Sequence, residues 1–438
     1  MSGAGVRPLP VAGTRGLPRG TRILFVADGR SPIARGWIEH FVARGDEVHL
    51  VSTFPCEAGS LRLAGLHVLP VAFARFAGGN VGRGAGAAAA ARPAAALTRR
   101  LRARAVAAAF PTVFGWLAPA TLGSHARRLR ELVRQVRPEV VHALRIPYEG
   151  IVAAEALAGT AYPLVVSVWG NDLELWAERY PLVGRFTRRA LARATALHPD
   201  CARDLHLAER WGWNPERPSA VLPGNGGIRR DVFHPGPPDA EVARRHGLPL
   251  GGPLVLNARG FRAYVRNDTF FRAIPRVLER RPEVVFAAVG MRGDPRAERW
   301  LRDLGIGHAV RLLPRVEPEE MAPLFRLSAA AVSPSEFDGT PNTLLESMAC
   351  GAFPLSGDIA SVREWVQDGV NGLLFPPGDP GALADATLRA LDDEGLRRRA
   401  GERNQGLIRD RADHAASMAR AEALYVAAMG AAGGPAAP

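Results

Sequence analysis

Apolar runs of four to six residues recur along this chain, each followed by a longer stretch in which apolar positions return every three or four residues. The short runs have the length of buried strands and the longer stretches the period of amphipathic helices. Their regular alternation predicts a parallel α/β architecture. A first series of strands is expected at residues 23–27, 48–52, 66–71, 140–143 and 164–168. A second series follows at residues 254–257, 284–289, 310–313, 329–332 and 353–356. Helices are expected near 268–280, 295–304, 318–327 and 342–349, with Pro275 and Pro323 able to kink or shorten two of them. Ser31 followed by Pro32 forms an N-cap and first-turn pair that opens a helix through Trp37 and Phe41 to Gly45. The turn-rich His234-Pro235-Gly236-Pro237-Pro238 divides the two series and reads as an interdomain linker.

The 438 residues are enough for two domains with separate cores. The expected division is a disordered N-terminus at 1–20, a first domain at 21–233, a second at 239–410, a closing helix at 411–429 and a disordered tail at 430–438. Three well-separated cysteines, Cys56, Cys201 and Cys350, imply neither a disulfide framework nor a zinc site, and a reducing cytoplasmic setting is expected. The net charge of +13 rests on arginine alone, because the chain contains no lysine. A basic balance points to nucleic acid, an anionic membrane surface or an acidic substrate. Nucleic acid is disfavoured by the lack of a recognised binding motif or a clustered aromatic platform.

The segment Ser333 to Phe353 carries the most chemistry. Asp338 opens a loop of Gly339, Thr340, Pro341 and Asn342, and a second acid, Glu346, follows eight positions later in the first turns of a helix. A glycine lets backbone approach a ligand closely, and a helix start near Asn342, Thr343 and Leu344 aims N–H groups at an anion. Two flanking carboxylates suit hydroxyl groups, so the pattern suits a nucleotide sugar. The plain alternative is an ordinary strand–loop–helix connection.

This segment resembles the signature of retaining glycosyltransferases of family 4, which have the GT-B fold: an acid, seven residues, a Glu, then small residues like those around Met348 and Gly351. The first acid of that family is usually Glu, where this chain has Asp338. The resemblance continues through Gly351, Pro354 and the strand-turn segment Glu364 to Leu374, and weakly over residues 23–425. It implies two Rossmann-like domains facing a cleft, the second binding a nucleoside diphosphate sugar and the first an acceptor, with the closing helix packing back on the first domain. Glu346 would hold the ribose and Asp338 the sugar hydroxyls. Arg259 would grip the diphosphate together with a second cation, for which Arg266 is the main candidate and Arg262 the lesser one. On the first domain the resemblance places Trp169 where a His is usual. An indole cannot accept a proton, so Trp169 is no general base. Asn171 and Asp172 are candidates for sugar hydroxyls, with a helix N-cap at Asp172 as the alternative. Gly29 occupies the place of a glycine-rich loop. Pro223 to Gly227 resembles a short family turn, and His142 reads as a packed strand-end histidine.

No Asp-x-Asp pair occurs, so no metal cofactor is expected, and arginine and a helix N-terminus would stabilise the leaving group. Residues 78–124 hold a basic stretch beside Phe110, Phe114 and Trp116. They suit either peripheral attachment to the inner face of the plasma membrane or a buried helix pair with a solvated arginine face. Attachment would point to a lipid-linked or cell-envelope acceptor. Two rival functions remain open: a sugar-nucleotide epimerase or hydrolase on the same fold, and a non-catalytic binding subunit.

Overall fold

The computed structural model describes residues 16–70 and 121–432. The first sheet contains β1 (Arg22–Ala27), β2 (Glu47–Ser52), β3 (Gly65–Val68), β4 (Val140–Ala143), β5 (Leu164–Val168) and β6 (Ala196–Pro199), in the order β3-β2-β1-β4-β5-β6. The second contains β7 (Leu254–Asn257), β8 (Val285–Ala288), β9 (Val310–Leu312), β10 (Ala330–Ser333), β11 (Phe353–Gly357) and β12 (Leu373–Phe375), in the order β12-β11-β10-β7-β8-β9. Every pairing is parallel. Helices cover both faces of a parallel sheet, which is why the central strands β4, β5, β7, β10 and β11 are apolar and buried without alternation. β6 escapes the apolar pattern because His198 and Pro199 make up half of it. Ser31 caps the helix Pro32–Ala43 as expected, and Asn267–Arg280 and Pro318–Leu327 run through Pro275 and Pro323.

The chain forms two compact units. One holds the described residues up to Gly226 and those from Met418 onward; the other is Gly227–Ser417. The division thus precedes the proline-rich linker, because Ile228 already donates to Ala412 O at 2.7 Å and accepts from the N–H of His414 at 3.1 Å. At the N-terminus, residues 16–20 are ordered rather than disordered. Leu17 enters the core, and the Arg44 guanidinium ties down the carbonyls of Leu17 and Pro18, each at 3.0 Å. The last helix spans His414–Ala431. The expected membrane-facing stretch lies outside the described residues up to residue 120; beyond it the helix Leu122–Val136 begins. Among the described residues no helix is long and apolar enough to cross a membrane.

A buried chain of hydrogen bonds ties the last helix into the first unit. Trp37 Nε1 donates to Tyr425 Oη at 3.0 Å, and Tyr425 Oη lies 2.6 Å from His142 Nδ1. His142 Nε2 lies 2.9 Å from Ser167 Oγ, which lies 2.8 Å from His198 Nδ1; His198 Nε2 lies 3.1 Å from Leu222 O. An indole N–H can only donate and a carbonyl can only accept, so the ends set one direction for every proton between them. Tyr425 donates to His142, His142 to Ser167, Ser167 to His198, and His198 to Leu222. With neutral rings that direction puts the hydrogen of both histidines on Nε2. Burial agrees: it pushes His198 down to about 4 and His142 well below its usual range. An added proton on His198 Nδ1 would face the Ser167 hydroxyl hydrogen.

Two outcomes are expected. Tyr425→Phe strands Trp37 Nε1 and His142 Nδ1, and should cost about 2–4 kcal/mol in urea unfolding. His198 has a depressed folded pKa, so its contribution is complete above about 6.5 and is lost as pH falls toward about 4. That loss is about 3 kcal/mol for His198 alone, and an imidazole NMR titration that places His198 at or above about 6.5 excludes the assigned tautomers.

Candidate functional site

In the second sheet the chain runs from β7 outward to β8 and β9, then returns and runs from β10 to β11 and β12 on the other side. The loops leaving neighbouring β7 and β10 therefore diverge at the carboxyl ends of the strands, where open α/β sheets bind ligands. Arg259 follows β7 and Asp338 follows β10, and they meet there as an ion pair, both largely buried. Arg259 Nη1 also donates to Thr343 Oγ1 at 3.0 Å. Its loop is braced by two buried amides: Asn257 Oδ1 accepts from the Arg259 N–H at 3.0 Å, and Asn257 Nδ2 donates to Asn267 Oδ1 at 3.0 Å. Asn267 Nδ2 closes the loop onto Gly260 O at 2.9 Å. On the other side, Gly339 N–H donates to Asp338 Oδ1 at 3.1 Å and Ser361 Oγ donates to Asp338 O at 2.8 Å. Trp365 Nε1 anchors the buried Thr340 hydroxyl at 3.3 Å.

The helix Asn342–Cys350 starts beside this pair with no capping side chain and no acid in its first turn. Its positive end is left uncompensated. Leu344 N–H is already bonded to Pro341 O at 3.0 Å, so Leu344 is no anion donor, and Asn342 and Thr343 carry the remaining first-turn N–H groups. Glu346 lies one turn further and is half-buried. Burial pushes its carboxyl up to about 7, while Arg259 pulls it down. Arg266 is placed differently from the expectation. Its guanidinium grips both oxygens of Asp268 at 2.9 Å and Glu336 Oε1 at 2.7 Å, so two carboxylates already engage the charge assigned to a leaving diphosphate. Arg262 is exposed.

The first unit has its own strand-order reversal between β1 and β4. Gly29 follows β1, but its small size serves packing: a Cβ would stand 2.5 Å from Cys56 Sγ and 2.9 Å from Ser52 Oγ, and its N–H donates to Ser52 Oγ at 3.1 Å. Asp172 is fully buried and accepts from the N–H groups of Trp169 and Ile146, both at 3.1 Å, and from Arg145 Nη2 at 2.9 Å. It braces two loops, which corrects both the sugar-hydroxyl and the N-cap readings. Arg145 Nη2 also reaches Asn171 Oδ1 at 3.4 Å. After β4 the backbone is strained, with positive φ at Arg145 (144°) and Tyr148 (69°). That turn buries Glu149, which accepts from Thr53 Oγ1 at 2.7 Å and is pushed up to about 7 by burial. Nothing in Tyr148-Glu149-Gly150 marks this carboxyl in the sequence. It is visible only once the sheet brings β2 and β4 to either side of β1.

Comparison with known proteins adds a partial family match and likenesses of fold. Residues 253–393 match the glycosyl transferases group 1 family. Two curated relatives are the D-inositol 3-phosphate glycosyltransferases of Acidothermus cellulolyticus (31% identical over 201 residues) and Xylanimonas cellulosilytica (32% over 204). Each match covers 44% of this chain, and 44% and 47% of those proteins, so the chain spans less than half the length of the curated relatives it matches. Among solved structures, a sucrose-phosphate synthase from Thermosynechococcus elongatus superposes with a TM-score of 0.70 at 17% identity, covering 92% of this chain and 98% of that one. Anabaena HepE in complex with UDP-glucose gives 0.67 at 15%, covering 92% and 98%. The fold is GT-B.

The group 1 stretch contains Arg259, Asp338, Thr343 and Glu346, and one cation acts on both acids. Sequence reasoning missed Asn257 and Asn267, whose only signal is a polar residue inside an apolar strand and another at a helix start. Because Arg259 lowers the Glu346 pKa, Arg259→Met is expected to raise it above about 7. Carboxyl NMR titration of the unliganded protein checks this, and an unmoved midpoint would separate the two residues.

Proposed function

We propose that this chain is a metal-independent retaining glycosyltransferase of the family 4 type, moving a hexosyl group from a nucleoside diphosphate sugar to a hydroxyl acceptor. The observation that carries the reading is Arg259 held between Asp338 and Thr343 at the β7/β10 reversal, against an uncapped helix start. That arrangement sets a guanidinium, shared with Asp338, beside the free N–H groups of a helix start, and it can serve a leaving diphosphate when Asp338 turns to the sugar hydroxyls. In this reading Arg259 and the N–H groups of Asn342 and Thr343 take up charge as the anomeric C–O bond breaks. The acceptor oxygen bonds to the same face of the anomeric carbon, and its proton passes to the departing phosphate oxygen. Glu346 receives the ribose hydroxyls and Asp338 those of the sugar. Arg266 serves the donor only if it leaves Asp268 or Glu336. Support comes from the group 1 match, from relatives named for glycosyl transfer to D-inositol 3-phosphate, and from a like-folded protein holding UDP-glucose. The acceptor class is a polyol or a lipid-linked or cell-envelope glycan.

Nucleoside diphosphate release from UDP-, GDP- and ADP-sugars, with and without polyol or envelope-lipid acceptors, tests the reading. Release is expected to depend on acceptor and to fall by about 100-fold or more in Glu346→Ala. Equal release without acceptor would replace it with a hydrolase or epimerase, and donor binding without turnover with a non-catalytic subunit.

A further inference from the structure

The outer edge of the first sheet holds two histidines that the reaction above does not use. Strand β3 is the edge strand and pairs with β2. The register sets His49 opposite Gly65 and Val51 opposite His67, so both imidazoles stand on one face of the sheet, one step apart along the strands. Their rings are nearly parallel, with 16° between the planes and centres 6.0 Å apart. His49 Nδ1 and His67 Nε2 are both buried, and neither has a hydrogen-bond partner among the described residues. Two such nitrogens together are costly, because each gives up its water with nothing in exchange. They converge on Gly65, where a Cβ would stand 2.6 Å from His49 Nδ1 and 3.0 Å from His67 Nε2. The backbone of Gly65 is outside the left-handed region and does not itself call for glycine. Any other residue would plug the gap between the two nitrogens. On the opposite side of its ring, His49 Nε2 lies 3.1 Å from Glu47 Oε1, and Glu47 also pairs with Arg22 at 2.8 Å. A carboxylate only accepts, so in the neutral ring this bond keeps the His49 hydrogen on Nε2 and leaves Nδ1 as a bare lone pair.

We propose that His49 Nδ1 and His67 Nε2 are ligands of a zinc ion, with Glu47 as the carboxylate that orients His49. A histidine ligand is commonly held this way through its other nitrogen, and imidazole suits zinc where magnesium or calcium would want oxygen. An ion about 2.0–2.1 Å from a ring nitrogen lies about 3.2 Å from the ring centre, so two rings sharing it stand about 5.2 Å apart at the tetrahedral angle and about 6.4 Å apart in line. The observed 6.0 Å falls between these limits. No hydrogen bond fixes the His67 ring among the described residues, so a small turn brings it to the tetrahedral value. The ion stands beyond the Cβ point, on the side away from the Gly65 Cα, and water fills its other positions, since no strand lies outside β3 among the described residues. Once bound, it ties the edge strand to β2. Gly65 opens β3, so the ion sits away from the carboxyl ends where the loops described above gather, and it takes no part in the transfer. The site does not rest on the transferase reading.

The test uses zinc alone on the full chain, first stripped of metal with a chelator. Calorimetric titration of the wild type is expected to show a saturable site, weakened about tenfold in Glu47→Gln and more than that in His67→Gln. Imidazole ¹⁵N NMR locates the site among the other histidines and the cysteines, with the resonances assigned by their loss in His49→Gln and His67→Gln. Zinc should move His49 Nδ1 and His67 Nε2 together, at the concentration that the calorimetry gives. Melting temperatures within about 2 °C of wild type for metal-free His67→Gln and Glu47→Gln confirm that the ligand set and not the fold was changed. The NMR titration needs only the wild-type protein to fold, so it decides the matter even where a variant does not. No binding at millimolar zinc overturns the site, as does binding that leaves both resonances unmoved. A His67 Nε2–H that stays hydrogen-bonded to His49 Nδ1 in excess zinc also overturns it, and reduces the pair to two neighbouring neutral histidines.

Discussion

Parallel strands can be joined only by crossovers, and those crossovers share one hand. When the chain leaves a central strand in one direction and later starts again beside it in the other, the loops at their carboxyl ends must part. Both sheets have this reversal, between β1 and β4 and between β7 and β10. Much of the site chemistry follows from it. Arg259 and Asp338 are 79 positions apart in the chain and touch because β7 and β10 are neighbours. Glu149 and Thr53 are 96 apart and touch because β4 and β2 flank β1.

The same geometry governs charge. A loop end in the shadow of two strands excludes water from part of its surface, so carboxyls there keep their protons longer: Glu149 and Glu346 are both pushed up to about 7. Asp172 illustrates the other resolution, in which two backbone N–H groups and a guanidinium satisfy a fully buried acid. Arginine serves throughout because it is the chain's sole strong cation. Its planar fork suits the two-oxygen grip seen between Arg266 and Asp268. That grip also withdraws Arg266 from the role its position along the chain suggested.

Much of the architecture was legible in the order of residues. Uninterrupted apolar runs mark strands buried on both faces, and Ser31-Pro32 marks a helix start, because these signals act within a few residues. β6 was not legible, since half of it is His198 and Pro199, and His198 is tolerable inside only because Ser167 and Leu222 satisfy both its nitrogens. The division at Gly226 rather than at the prolines was likewise hidden, because it depends on Ile228 pairing with residues nearly two hundred positions later.

For the site, the sequence by itself determined the identity and spacing of Asp338, Glu346 and the helix start that follows the loop, since all three lie on one local strand–loop–helix unit. Tertiary structure decided what each could do. It turned Gly29 to packing against Cys56, spent Leu344 N–H on Pro341, and set Asp172 between two loops. Hydrogen-bond partners far apart in the chain are chosen by strand order and burial, and neither is written in the spacing of any one motif.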